Sequence, residues 1–194
     1  MNLKSLHRVV LASALAVGPL TGATNAAPIT YEGTLTSGTA VTGMVGGSGW
    51  INEVASEVDF WRFMANAGNA VTIRGTRGNP NLDPALSLYF GVTTADQALF
   101  LNDADWGGLT YLTFADDDVS VPAGPGGDPL LNMYRLPFTG NYTIAIGGFS
   151  STGAGPFPYT LTAQVVAQAV TAPPTIPLLI AGLLAFACTR RRPA

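Results

Sequence analysis

Residues 57–64 read EVDFWRFM, and the order of side chains in this stretch predicts the fold of the whole chain. Successive side chains of a β-strand point to opposite faces, so Phe60 lies on one face while Trp61 and Phe63 lie on the other. A strand with one face in water would alternate between apolar and polar side chains, whereas here both faces carry aromatic rings. The stretch therefore predicts a central strand in a structure of two packed sheets.

Further short segments rich in β-branched and aromatic residues occur on both sides of this strand, separated by glycine, proline and aspartate. No amphipathic helical pattern of convincing length interrupts them. Short strands at roughly even spacing predict an all-β protein with a single jelly-roll-like β-sandwich over residues 27–164. The turn Ala67-Gly68-Asn69 predicts a hairpin between residues 57–64 and 70–76. The other predicted strands are residues 30–36, 40–45, 85–90, 98–101, 109–114, 130–136, 141–147 and 159–167.

The composition of residues 27–164 excludes several kinds of chemistry. This body holds all twelve acidic residues of the chain and only four arginines, so its formal charge is −8. Such a surface repels phosphate backbones, and nucleic acid is excluded as a partner. The body has no histidine, lysine or cysteine. Serine–histidine and cysteine–histidine nucleophiles, thiolate or imidazole zinc sites and Schiff bases therefore cannot form, and we expect a protein that is not an enzyme.

An acidic loop at residues 115–128 is the candidate metal site. Asp116, Asp117 and Asp118 are consecutive, and Asp128 follows in the same loop. Calcium takes six to eight oxygen ligands, mostly carboxylates and carbonyls, and a cation would relieve the repulsion among adjacent carboxylates. The spacing is not that of an EF-hand. The loop therefore has two interpretations, a solvated acidic loop without a metal and a site that binds calcium as a cofactor.

Three residues are candidate contacts for a ligand. Asp59 alternates with aromatic residues on the central strand, and Trp61 and Trp106 could stack on a saccharide. The alternative interpretation is structural, with Asp59 paired to Arg62 or Arg74 and both indole rings filling the core of the sandwich.

The two ends of the chain carry targeting signals. Residues 1–26 combine a basic start, a short apolar run and small residues at the end, which is the pattern of a secretory signal peptide. Near the other end, residues 165–175 form a linker with a proline motif, residues 176–189 a predicted transmembrane segment and residues 190–194 a basic cytoplasmic tail. The sequence thus predicts an exported body outside the cytoplasmic membrane. Buried helices of the globular domain are the alternative at both ends.

The C-terminal segment resembles the PEP-CTERM type of bacterial sorting signal. The resemblance rests on a proline motif, an apolar segment and an arginine cluster, formed here by Pro173, Pro174, Thr175, Arg190, Arg191 and Arg192. The usual Pro-Glu-Pro is replaced by residues 172–175, APPT. The resemblance implies processing by an exosortase-like enzyme, membrane attachment through the C-terminal helix and a role in extracellular polysaccharide.

The body resembles the bacterial pre-peptidase C-terminal domain over about residues 57–165. Segments in the matching order carry this resemblance: residues 57–63, 71–73, 82–89, 116–118, 139–144 and 158–161. The resemblance implies a small jelly-roll-like sandwich that is accessory to secreted enzymes, is not itself catalytic and in some members binds calcium.

Together these features predict an exported surface or extracellular-matrix protein, anchored in the membrane or released by processing, whose sandwich binds or scaffolds. A calcium-dependent carbohydrate-binding module is the alternative. A glycosidase that uses only carboxylates is a more remote one.

Overall fold

The computed structural model describes residues 27–168, and these form an all-β protein. The predicted signal peptide, transmembrane segment and sorting-signal residues lie outside the described residues. Within residues 27–168, no helix is both long enough and apolar enough to span a membrane. Two short 3₁₀ turns, Ala55–Glu57 and Gln97–Leu99, accompany the strands. The strands are Tyr31–Thr34 (β1), Ala40–Val45 (β2), Asp59–Ala65 (β3), Ala70–Arg77 (β4), Pro84–Phe90 (β5), Thr110–Ala115 (β6), Leu130–Arg135 (β7), Gly140–Gly148 (β8) and Phe157–Val166 (β9).

The strands form two sheets whose pairing is nested. One sheet has the order β1-β3-β8-β5-β6 and the other the order β2-β9-β4-β7. Antiparallel pairs join β2 to β9, β3 to β8, β4 to β7 and β5 to β6. This nesting of eight strands is the connectivity of a jelly roll. β1 is an addition that pairs with β3 in parallel at the sheet edge.

Two predictions about local structure are wrong. β3 and β4 do not form a hairpin, because the turn at Gly68 carries the chain from one sheet to the other. Residues 98–101 do not form a strand. There, Asp96 accepts a hydrogen bond from the backbone of Ala98 (3.0 Å) and caps a 3₁₀ turn instead.

The main apolar core lies between the two sheets. Leu86 and Leu88 of β5 and Ile144 and Ile146 of β8 are completely buried there, and Trp61 of β3 also belongs to this cluster. The residues next to them along each strand point to the opposite face of the sheet, because successive side chains of a strand alternate between its two faces.

A second apolar cluster covers the outer face of the five-stranded sheet. Phe60 of β3 and Tyr89 of β5 point into it, and Phe100 and Trp106 close over them from the segment between β5 and β6. The rings of Phe60 and Phe100 meet edge to face with centroids 5.4 Å apart. β3 is therefore buried on both faces, which confirms the prediction made from residues 57–64.

The strand ends define two poles of the sandwich. β5 begins beside the end of β8, with Pro84 opposite Gly148, and β6 ends beside the start of β5, with Leu86 opposite Ala115. We call this end the acidic pole. β9 begins near it and runs to Val166 at the other end. The chain consequently leaves toward residues 169–194 from the pole opposite the acidic one.

Candidate metal centre

Three carboxylates meet at the acidic pole because two neighbouring strands begin and end there. Asp83 directly precedes β5, and Asp116 and Asp117 directly follow β6. Since the start of β5 pairs with the end of β6, the three side chains converge. One carboxylate oxygen from each lies within 4.8 Å of the others. Asp83 stands 33 positions before Asp116 in the sequence, so the sheet register creates the cluster.

Asp83 is buried and held rigidly, yet one of its oxygens has no partner. The residue is only 2% exposed. Its Oδ2 accepts hydrogen bonds from the backbone nitrogen (3.2 Å) and the hydroxyl of Ser150. Its own backbone N–H donates to the hydroxyl of Ser151 at 2.9 Å. Its Oδ1 is buried and has no hydrogen bond from any residue of the described range 27–168. A buried acceptor on a charged group costs more than about 1–3 kcal/mol when it is left unpaired, so a donor or cation beside this oxygen would stabilise the fold.

Asp116 has the same deficiency. Its Oδ1 is also buried, and no group in the part of the chain that the structure describes forms a hydrogen bond with it. Burial, followed by the neighbouring charges of Asp117, Asp83 and Asp118, raises the pKa of Asp116 to about 6. The raised pKa therefore reflects both the burial of this carboxylate and its repulsion by the neighbouring carboxylates. A bound divalent cation would remove this repulsion.

Asp117 and Gly126 complete the cluster from its solvent side. Asp117 is exposed, and its Oδ1 accepts a hydrogen bond from the backbone of Gly127. Gly126 has a φ of 58°. A β-carbon at Gly126 would overlap both Oδ1 of Asp83 and Oδ1 of Asp117. The absence of a side chain at this position leaves room between the two oxygens.

Asp128 has a different role from the predicted one. It is 2% exposed and forms a salt bridge with Arg77, whose Nε lies 2.8 Å from its Oδ1. Arg77 also donates to the carbonyl oxygens of Pro125 (2.7 Å) and Gly127. The charge of Asp128 is thus already compensated, and the pair fastens the acidic loop to the end of β4.

Asp118 also faces away from the cluster's centre. Its Oδ2 accepts a hydrogen bond from the backbone of Leu130 at 3.0 Å, which ties the loop to the start of β7. Of the four predicted ligands, the structure brings Asp116 and Asp117 together and gives Asp118 and Asp128 other partners. Asp83 is not among the predicted ligands. Its signal is a repeated Asp-Pro dipeptide, because Asp83-Pro84 stands at the start of β5 and Asp128-Pro129 immediately before β7.

The three candidate ligand contacts have partners within the sandwich. Trp61 and Trp106 are 8% and 5% exposed and belong to the two apolar clusters, so neither ring is available for stacking on a saccharide. Asp59 accepts a hydrogen bond from the hydroxyl of Tyr159 at 2.5 Å, and Trp61 donates to the same hydroxyl at 2.8 Å. Burial raises the pKa of Asp59. These three side chains form a hydrogen-bonded chain inside the sandwich, whereas the structure pairs Asp59 with neither Arg62 nor Arg74.

The carboxylate cluster fits a hard divalent cation. All its donors are oxygen atoms, which calcium and magnesium prefer. Residues 27–168 offer no imidazole or thiolate, the ligands that favour copper or zinc. Three carboxylates supply up to six oxygens, and calcium accepts such a set with irregular geometry.

Comparison with protein-family models gives no match, and comparison with curated proteins gives none either. Solved structures do match. CorA, a surface-associated copper-binding protein important in copper acquisition by Methylomicrobium album BG8, is 12% identical, with a TM-score of 0.54, over 70% of this chain and 98% of that chain. At this identity the similarity shows a shared fold.

Two further structures match with lower scores. One is a mercury-soaked structure of MopE, a secreted protein of Methylococcus capsulatus in which an oxidised tryptophan facilitates copper binding (10% identity, TM-score 0.49, 68% of this chain and 86% of that one). The other is the pre-peptidase C-terminal domain of a Bacillus anthracis collagenase (12% identity, TM-score 0.43, 70% and 98%). The second belongs to the family that the sequence resembles, and with a score below 0.5 that kinship stays a prediction.

Proposed function

We propose that this chain is an exported, non-catalytic binding protein whose sandwich holds a calcium ion at Asp83, Asp116 and Asp117. One observation carries the proposal. The Oδ1 atom of the rigid, 2% exposed Asp83 has no hydrogen bond and lies among two further carboxylates. A solvated acidic loop does not account for it, because a carboxylate oxygen without a hydrogen bond is more stable in contact with water than buried.

The proposed location outside the cytoplasm rests on the sequence. Residues 1–26 carry the pattern of a signal peptide, and residues 176–194 that of a membrane segment followed by arginines. In this proposal the body is held outside the membrane or released by an exosortase-like enzyme. Calcium is available in that compartment, and a domain without disulfides gains stability from it.

The experiment is thermal unfolding of the purified full-length chain in mild detergent, with calcium and then with chelator. A ligand that binds only the folded state stabilises it by about 2.7 kcal/mol at one hundred times its dissociation constant. For a domain of this size, that corresponds to a rise in Tm of roughly 5–10 °C. We expect this rise in the wild-type chain and its loss in Asp83→Asn and Asp116→Asn. No rise at 5 mM calcium would refute the metal site, and an equal rise with magnesium would refute calcium as the specific ion.

A matched pair of glycine substitutions tests the site without removing any carboxylate. Gly126→Ala places a methyl group between the oxygens of Asp83 and Asp117, whereas Gly38, with a φ of 78°, has no atom within 4 Å of the position of a β-carbon. Both substitutions strain the backbone by about 1–2 kcal/mol. We expect Gly38→Ala to keep the calcium-induced rise in Tm and Gly126→Ala to lose it. Equal calcium responses in the two variants would place the ion elsewhere.

A further inference from the structure

Asp117 connects the carboxylate cluster to an open groove. The groove has a volume of about 260 Å³ and is lined by Asp117, Ser120, Val121, Gly126 and Gly127. Two of these residues, Asp117 and Gly126, also border the cluster. An ion held by Asp83, Asp116 and Asp117 would therefore lie at the wall of a groove that solvent can enter.

A second groove adjoins the first, since Val121 lines both. It has a volume of about 350 Å³, and much of its wall is apolar, formed by Pro80, Val121, Pro122 and Ala123. Arg77 also borders it, but the donors of Arg77 are directed to Asp128, Pro125 and Gly127. This second groove thus offers an apolar surface rather than a free charge.

The coordination of the ion leaves room for a ligand. Calcium takes six to eight oxygens. The three carboxylates have six, but Oδ2 of Asp83 accepts two hydrogen bonds from Ser150 and Oδ1 of Asp117 accepts one from Gly127. The remaining coordination positions must be filled by oxygens from outside the cluster, and those on the side of Asp117 face the groove.

The net charge of the occupied site favours neutral ligand oxygens over anionic ones. Three carboxylates and one divalent cation leave a net charge of −1. Within residues 27–168, no arginine lies within 4.0 Å of Asp83, Asp116 or Asp117. An anionic ligand would therefore meet repulsion, whereas two neighbouring hydroxyl groups could complete the coordination without any charge.

From these observations we infer that the groove beside Asp117 binds a neutral saccharide, with two vicinal hydroxyl groups on the calcium ion and the ring against Val121 and the adjoining apolar surface at Pro122. The inference rests on the proposed calcium site and adds the class of its ligand. The position of the groove agrees with it, because the acidic pole is opposite the pole from which the chain leaves toward its predicted anchor.

The test is affinity electrophoresis of the full-length chain in detergent, through gels that contain mannan, a neutral polymer with vicinal cis hydroxyls. We expect retardation with calcium and at least a tenfold weaker interaction with chelator. Alginate, an anionic polysaccharide, is the comparison, and the calcium-induced rise in Tm is measured in parallel.

Val121→Arg tests the binding of saccharide in the groove independently of the binding of calcium at the carboxylate cluster. It should fill the groove and weaken the binding of mannan at least tenfold while the calcium-induced rise in Tm remains. Binding of alginate alone, or no retardation by mannan despite a clear calcium response, overturns the inference and leaves the calcium site standing. Absence of any calcium response overturns the proposed function, and the inference with it.

Discussion

Asp83 and Asp128 occupy equivalent positions in the chain, but their buried carboxylates have neighbours of opposite charge. Each precedes a proline and a strand, and each is 2% exposed. Asp128 has the guanidinium of Arg77 at 2.8 Å. Asp83 has two further carboxylates nearby and an oxygen without a hydrogen bond. The comparison teaches that the fold itself supplies the cation for one buried aspartate, whereas in the proposed function the other receives its cation from solution.

The largest expected effect comes from removing the internal cation. Arg77→Met leaves the buried charge of Asp128 without its counter-charge and releases the carbonyl groups of Pro125 and Gly127, so we expect a loss of about 3–5 kcal/mol in the free energy of unfolding. Urea unfolding in chelator measures it. Arg74→Met, on the exposed side of the same strand, is the control and should change stability by less than about 0.5 kcal/mol. Similar losses in both variants would show that the salt bridge does not hold the loop.

The next effect has opposite signs for the two aspartates. Asp128→Asn leaves the buried guanidinium of Arg77 without its counter-charge and should cost about 2–3 kcal/mol in chelator. Asp83→Asn removes one of three like charges and should raise the stability of the calcium-free chain, by about 1 kcal/mol. The measurement is urea unfolding of both variants with and without calcium. If Asp83→Asn destabilised the calcium-free chain as much as Asp128→Asn, the cluster would not be under electrostatic strain.

The pH dependence of the calcium-free chain gives a smaller effect. The folded-state pKa of Asp116 is about 6, above its ordinary value of 3.8. Its protonation therefore stabilises the fold fully below about pH 3.8, and this contribution is lost as the pH rises through about 6. We expect the Tm in chelator to fall between pH 5 and 7.5 by more in the wild-type chain than in Asp116→Asn. Identical slopes in the two chains would contradict the raised pKa.

The sequence predicts a strand of the sandwich correctly where the side chains of that one segment show which of its faces are buried. Residues 57–64 carry aromatic rings on both faces, and β3 is indeed covered on both sides. The predicted hairpin failed because the turn at Gly68 has the same local chemistry whether the chain pairs with itself or crosses to the other sheet. Burial of the following strand, which pairs with β7 and β9 far along the chain, decides between the two.

The candidate site shows the same limit. Asp116 and Asp117 were predicted because they are adjacent in the sequence, whereas Asp83 joins them only through the pairing of β5 with β6. The pattern also could not distinguish Asp128 from a metal ligand, since its partner Arg77 lies 51 residues away. Carboxylates can be counted in a sequence, but their compensating charges are set by tertiary structure.

The smallest expected effect concerns the third aspartate of the consecutive run. Asp118 is exposed, and its Oδ2 caps the backbone of Leu130 at 3.0 Å rather than facing Asp83. Asp118→Asn retains an oxygen that can accept this bond, so stability should change by less than about 0.5 kcal/mol. The substitution also removes a charge near Asp116, which should lower the affinity for calcium less than threefold. Asp117→Asn removes a proposed ligand of the ion and should lower this affinity tenfold or more.

Isothermal titration with calcium measures both affinities. Equal losses for Asp117→Asn and Asp118→Asn would mean that the ion responds to the total charge of the loop. A loss confined to Asp117→Asn would mean that it responds to the particular oxygens that the sheet register brings beside Asp83. The second result is expected, because only Asp117 shares with Asp83 the space that Gly126 leaves open.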